Sequence, residues 1–309
     1  MEQRDPTGMA VGHLVAARDF AGLDTLAREY RTTKSRDING EENLHLFYRW
    51  LVHDLIAMTS CDGCDDKGTD FVHAWLARSP KDVVATITLG KIEVLHAFAV
   101  RGRGYADAVP PEVWPRVREL NGQAYQALMD AKSFASLDPE WYSTYLEAAL
   151  IQQPPEAEVR ATFNEGAKKF PGYLPIYESM TTYLLPEWNG DWKAVDALAR
   201  AASSGPQDGN LGMYARIYRL IGRHCSCGRP LRTQTEIDWS LMKRSMRAWA
   251  DRYPSEWNMV SFMRLSCDSD DYIEAQYFIG RRIALQTEAG QVVSGVTACG
   301  VPPGRFKPA

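Results

Sequence analysis

Stretches in which apolar and polar residues alternate over five or more positions are nearly missing from this chain, so a β-sheet is not expected. Cysteine is scarce as well. Six in 309 residues are too few for a disulfide framework, and a chain of this length can build a core without one. No apolar segment follows Met1-Glu2-Gln3-Arg4-Asp5, which speaks against a secretory signal. The most apolar runs, Phe47 to Met58 and Ile87 to Val100, are broken by His53, Asp54, Lys91 and Glu93. They fall short of the ~18 uninterrupted apolar residues of a membrane span. No span is expected, and the expected location is cytoplasmic.

Charge of one sign is not concentrated either. Lys and Arg number 35 against 39 Asp and Glu, a net charge of −4, and the two signs are interspersed along most helical segments. A nucleic-acid partner calls for a basic face. The densest basic stretch, Lys243, Arg244, Arg247 and Arg252, reads as the solvated side of one helix, so nucleic acid is not expected as a partner. The G-x-S-x-G, G-x-G-x-x-G and H-E-x-x-H patterns are absent. No nucleophile, base and orienting acid can be nominated, and the reading leans away from an enzyme. His13, His45, His53, His73 and His96 are read as ordinary helix residues.

Apolar residues at i, i+3, i+4 and i+7 recur instead, as in Leu44, Phe47, Tyr48, Leu51, Leu55 and Ile56. This spacing predicts an all-α fold of about twelve to fourteen helices between Leu14 and Gln286. Three helix endings share one grammar: Trp75 to Pro80, Gly166 to Pro171 and Trp249 to Pro254 each carry a basic residue two places before a proline. The cation meets the negative end of the helix dipole, and the proline stops one helix while suiting the first turn of the next. Asp191 and either Asp270 or Asp271 then stand as N-caps. Repeated helix, turn, cap and helix predicts a tetratricopeptide-like solenoid of degenerate helix pairs over residues 1–289. Residues 290–309, rich in Gly and Pro, are expected to form a loose tail.

Several segments add a resemblance: Phe20-Ala-Gly-Leu-Asp24, Arg101-Gly-Arg-Gly-Tyr-Ala106, Asp138-Pro-Glu-Trp-Tyr142, Pro171-Gly-Tyr173, Tyr183 to Gly190 and Tyr253-Pro-Ser-Glu-Trp257. In these the chain resembles an uncharacterised bacterial family, the domain of unknown function 4034 group. The resemblance implies a tetratricopeptide-like fold and no established activity, so no catalytic residue is carried over from it.

The expected function is therefore a protein- or peptide-binding module without catalysis or cofactor. Candidate partner contacts are Arg101, Arg103 and the aromatic set Trp141, Tyr142, Tyr145, Tyr173 and Tyr177. Such rings form either core or the concave face of a stack. For Arg101-Gly-Arg-Gly104 the structural reading is a left-handed glycine ending a helix. An alternative rests on Cys61-x-x-Cys64 and Cys225-x-Cys227, whose thiolates suit zinc or redox chemistry. In that case the chain is a metal- or redox-responsive regulator or enzyme. Cys267 is read as a free thiol packed in the core.

Overall fold

Aspartate and proline set the joints. The computed structural model describes residues 5–58, 67–102, 106–188, 190–205, 210–224 and 231–289. Among these, Asp5, Asp19, Asp82, Asp138, Asp191, Asp238 and Asp271 each accept a backbone N–H two or three residues on. Each satisfies a donor that the first turn of a helix would leave without a partner. Helices follow accordingly: α1 (Pro6–Ala16), α2 (Phe20–Thr33), α3 (Asn43–Ala57), α4 (Lys67–Arg78), α5 (Val83–Arg101), α6 (Trp114–Ala135), α7 (Pro139–Gln152), α8 (Glu156–Lys169) and α9 (Leu174–Tyr183). After them come α10 (Trp192–Ser203), α11 (Met213–His224), α12 (Leu231–Gln234), α13 (Trp239–Arg252), α14 (Glu256–Cys267) and α15 (Tyr272–Glu288).

The fold is all-α. No strand occurs among the described residues, where one isolated bridge joins Arg36 and Glu42. The fifteen described α-helices exceed the expected twelve to fourteen, and α1 begins at Pro6, ahead of Leu14. The tail 290–309 lies outside the described residues.

Within the span expected as one repeat domain, the helices group into two compact units. Unit 1 holds residues 1–36 and 41–183, and unit 2 holds residues 37–40 and 184–309. In unit 1, α3 packs on α1, α4 and α5, and α5 packs on α6. Helix α7 sits against α5, α6, α8 and α9. Its buried residues run almost without a break, Pro139 to Leu146 and Ala148 to Leu150, so it has no solvated stripe. A helix apolar or buried on all sides is a core helix.

Helix α5 is long and apolar enough, by length and composition, to cross a membrane, which the broken run Ile87 to Val100 did not suggest. Here half of that window is buried inside the unit, and Lys91 makes an ion pair with Glu140.

In unit 2, α11 packs on α10, α13 and α14, and α14 packs on α15. Gly40 has a φ of +82°, and a Cβ there would run into the rings of Trp249 and Tyr253, so only glycine suits this turn. Trp249 is buried and donates its indole N–H to the Asn39 carbonyl at 3.1 Å. Cys267 corrects an expectation. It is disulfide-bonded and only part-buried at the end of α14, a helix end being where a side chain leaves the core and becomes reachable by another thiol.

Candidate functional site

Of the five expected partner-binding rings, three lie in the core. Trp141, Tyr142 and Tyr145 are fully buried in unit 1, because α7 is covered on every side. Trp141 stacks on Tyr145 with ring centroids 5.6 Å apart and donates to the Leu128 carbonyl at 2.8 Å. Tyr142 and Tyr145 donate to Glu165 and Glu158 at 2.6 and 2.9 Å. Tyr177 is half-buried, edge-on to Phe163. Arg101 ends α5 over the Trp114 ring, and Gly102 beyond it has φ +78°, as the structural reading expects. Arg103 and Cys61, Cys64, Cys225 and Cys227 lie outside the described residues. Among the described residues no group of three His, Cys, Asp or Glu side chains is arranged to hold a metal ion.

Of the expected set, Tyr173 alone joins a polar constellation. That constellation grows from the first turn of α7. Asp138 caps the helix, with Oδ1 accepting the Glu140 N–H at 2.9 Å. Its Oδ2 accepts from Arg31 Nε at 2.9 Å and from the Tyr48 hydroxyl at 3.0 Å. Two residues on, Glu140 accepts four further side-chain contacts. Oε1 takes His45 Nδ1 at 2.9 Å and the Tyr173 hydroxyl at 2.6 Å. Oε2 takes Lys91 Nζ at 2.7 Å and the Ser143 hydroxyl at 3.3 Å. Both carboxylates have side-chain exposures of 0%. Burying an ion this completely is tolerated only with full pairing, and α2, α3 and α5 each supply a donor, with Tyr173 from the residue just before α9.

The electrostatics follow from that pairing. Burial alone would raise the Glu140 carboxyl, yet the Lys91 ammonium and the His45 imidazole outweigh it and hold it well below the usual carboxylate range. Burial would also strip Lys91 and His45 of their protons, but Glu140 more than offsets this and raises both. Burial, then Asp138 for Tyr48 and Glu140 for Tyr173, pushes both phenols well above their ordinary value, so each remains a donor. The result is a fixed array of N–H and O–H groups anchored by two buried anions.

Two openings flank this array. A cleft of about 450 Å³ is lined by His45, Tyr48, Arg49, Val52, His53 and Ile56 of α3, with Lys91 and Leu95 of α5 and Glu147 of α7. A smaller cavity of about 120 Å³ lies by Arg31, Lys34, Arg36, Phe170 and Tyr173. The larger has a polar floor and apolar walls, with Ile56 36% and Leu95 44% exposed. That division suits binding. Within it His45 and Lys91 are both paired with Glu140.

Sequence reasoning missed Asp138, Glu140, Lys91, His45 and Arg31 as a group. Comparison with family models, with curated proteins and with solved structures gives no match.

Proposed function

We propose that the chain is a helical-repeat binding protein, tetratricopeptide-like in plan, and that it holds a segment of a protein partner in the α3–α5 cleft of unit 1 without acting on it chemically. The observation that carries the reading is the cleft itself, with exposed Ile56 and Leu95 above donors locked in place by Asp138 and Glu140. Rigid donors lose little freedom on binding, so more of the contact energy appears as affinity. Consecutive helices packing in each unit, with Asp and Pro at the joints, support the repeat plan. The disulfide at Cys267 weighs against a cytoplasmic setting, since such bonds persist chiefly in oxidising compartments.

The test is selection of displayed random peptides on the full chain, with counter-selection on Leu95→Asp. A charge on the apolar wall should abolish capture while leaving the helical circular dichroism unchanged. Peptides that bind the variant as well as the parent would show that the cleft is not the site.

A further inference from the structure

The floor of the cleft has a definite chemical preference. Glu140 Oε1 accepts from His45 Nδ1, so that nitrogen carries a hydrogen, and Nε2 donates to a ligand in the protonated ring, the form that Glu140 favours against burial. Lys91 commits one of its three ammonium hydrogens to Glu140 Oε2 at 2.7 Å. Tyr48 gives its only hydrogen to Asp138. The lining side chains include Lys91, His45, His53 and Arg49 with one carboxylate, Glu147, while Glu140 behind the floor pairs with Lys91 and His45. Glu147 takes a long 3.5 Å contact from Ser179 and lies near enough to Lys91 to help hold its proton. Above this floor the walls are Val52, Ile56, Ala57 and Leu95.

Resting on the binding reading above, we propose that the bound segment carries an acidic side chain seated on Lys91 Nζ and His45 Nε2, flanked by apolar residues against Val52, Ile56 and Leu95. Charge-assisted hydrogen bonds to a carboxylate are about twice as strong as neutral ones. The donors are already oriented by Glu140, whose own oxygens are fully used, so the floor does not reorganise to receive the ligand. Glu147 at the edge of the floor sets the limit on charge: one acidic side chain is accommodated, and a second beside it meets a like charge. Arg49 is exposed, with ion-pair contacts to Glu41 at 3.4 Å and Asp5 at 3.9 Å, and it adds a loosely held cation at the rim.

The cleft-dependent peptides from the selection supply the probe. Their sequences should share one Asp or Glu between apolar residues. Changing that acid to Gln or Asn in the peptide, which leaves the protein untouched, should weaken binding about tenfold or more in titration calorimetry. The protein variant His45→Gln keeps a donor for Glu140 but removes the charge, and it should narrow the gap between the acidic and amide peptides. Cleft-dependent peptides that lack an acid, or bind equally well as the amide, would overturn the acidic preference while keeping the binding reading. A selection that yields no cleft-dependent peptide removes both.

Discussion

The two units bury charge in different mixtures. In unit 1 the buried carboxylates Asp138 and Glu140 are each met by formal cations: Asp138 by Arg31, Glu140 by Lys91 and His45. Unit 2 has one pair of that kind, the buried Glu274 taking Arg247 at 2.9 and 2.7 Å, and adds buried arginines against aromatic faces. Arg216 lies 4.9 Å from the Trp249 ring centroid and Arg219 4.2 Å from that of Trp257. A further buried anion of unit 2, Asp196, takes the hydroxyls of Tyr214 and Tyr218 at 2.5 and 3.0 Å, with Arg200 at its edge. A ring face attracts a cation through its quadrupole and also packs as hydrocarbon. Unit 2 thus sets part of its buried charge against rings, whereas in unit 1 Lys91 and His45, paired with Glu140, line an opening.

The contrast can be broken at its strongest points first. Lys91→Met should destabilise unit 1 by about 3–5 kcal/mol, the penalty of leaving one buried charge without its partner, and pairing it with Glu140→Met should recover much of that loss in denaturant titrations. If the single change is mild, Glu140 is not held as an ion. The counterpart in unit 2 is Trp249→Ala, which should cost about 3–5 kcal/mol through lost packing and should not be rescued by a charge change elsewhere. Tyr48→Phe removes one hydrogen bond to a buried carboxylate and is expected to cost about 1.5–3 kcal/mol, read by the same titration.

The smallest effect is in pH. Burial, with Asp82 beside it, raises Asp24 to about 7, and burial alone raises Glu93 to about 7. Between the ordinary carboxylate range and pH 7 the folded state therefore binds more protons than the unfolded one, and stability falls as pH rises through that window. His45, raised by Glu140, acts in the same direction: its contribution is complete below the ordinary imidazole value and is lost as pH rises through the folded one. Asp238 of unit 2 is lowered, chiefly by the Leu241 N–H, so its contribution is present above the ordinary carboxylate value and disappears only in acid. Hydrogen exchange at pH 5 and pH 8, corrected for intrinsic rates, should show unit 1 gaining protection at the lower pH. Equal behaviour in the two units would remove this part of the comparison.

Much of the secondary structure was legible because its causes are local. Asp191 and Asp271 cap helices where the punctuation places them, and α4, α8 and α13 end at Arg78, Lys169 and Arg252, two residues before their prolines. The site was not legible, because its members come from four helices and the residue before a fifth, and none is unusual alone. Lys91 and Glu93 look like polar interruptions that disqualify a membrane span, and His45 looks like any histidine on an amphipathic helix. Glu140 gave no signal either: with Ser143, Thr144 and Glu147 it forms a row at helical spacing that reads as a solvated stripe, yet the first three are buried. A carboxylate with no solvated side must find cations from elsewhere in the chain. Tyr173 was named as a ring, whereas in the structure it donates to Glu140 as a phenol.

The enclosure of α7 has a kinetic meaning. Its amide hydrogens are shut away beneath four neighbouring helices, and its first turn is pinned by Asp138 and Glu140 to partners as distant in sequence as Arg31 and Tyr173. No local fraying can uncover such a segment, so its slowest amides should exchange only when all of unit 1 opens. A single peptide from the middle of α7 then serves as a clock for the whole unit.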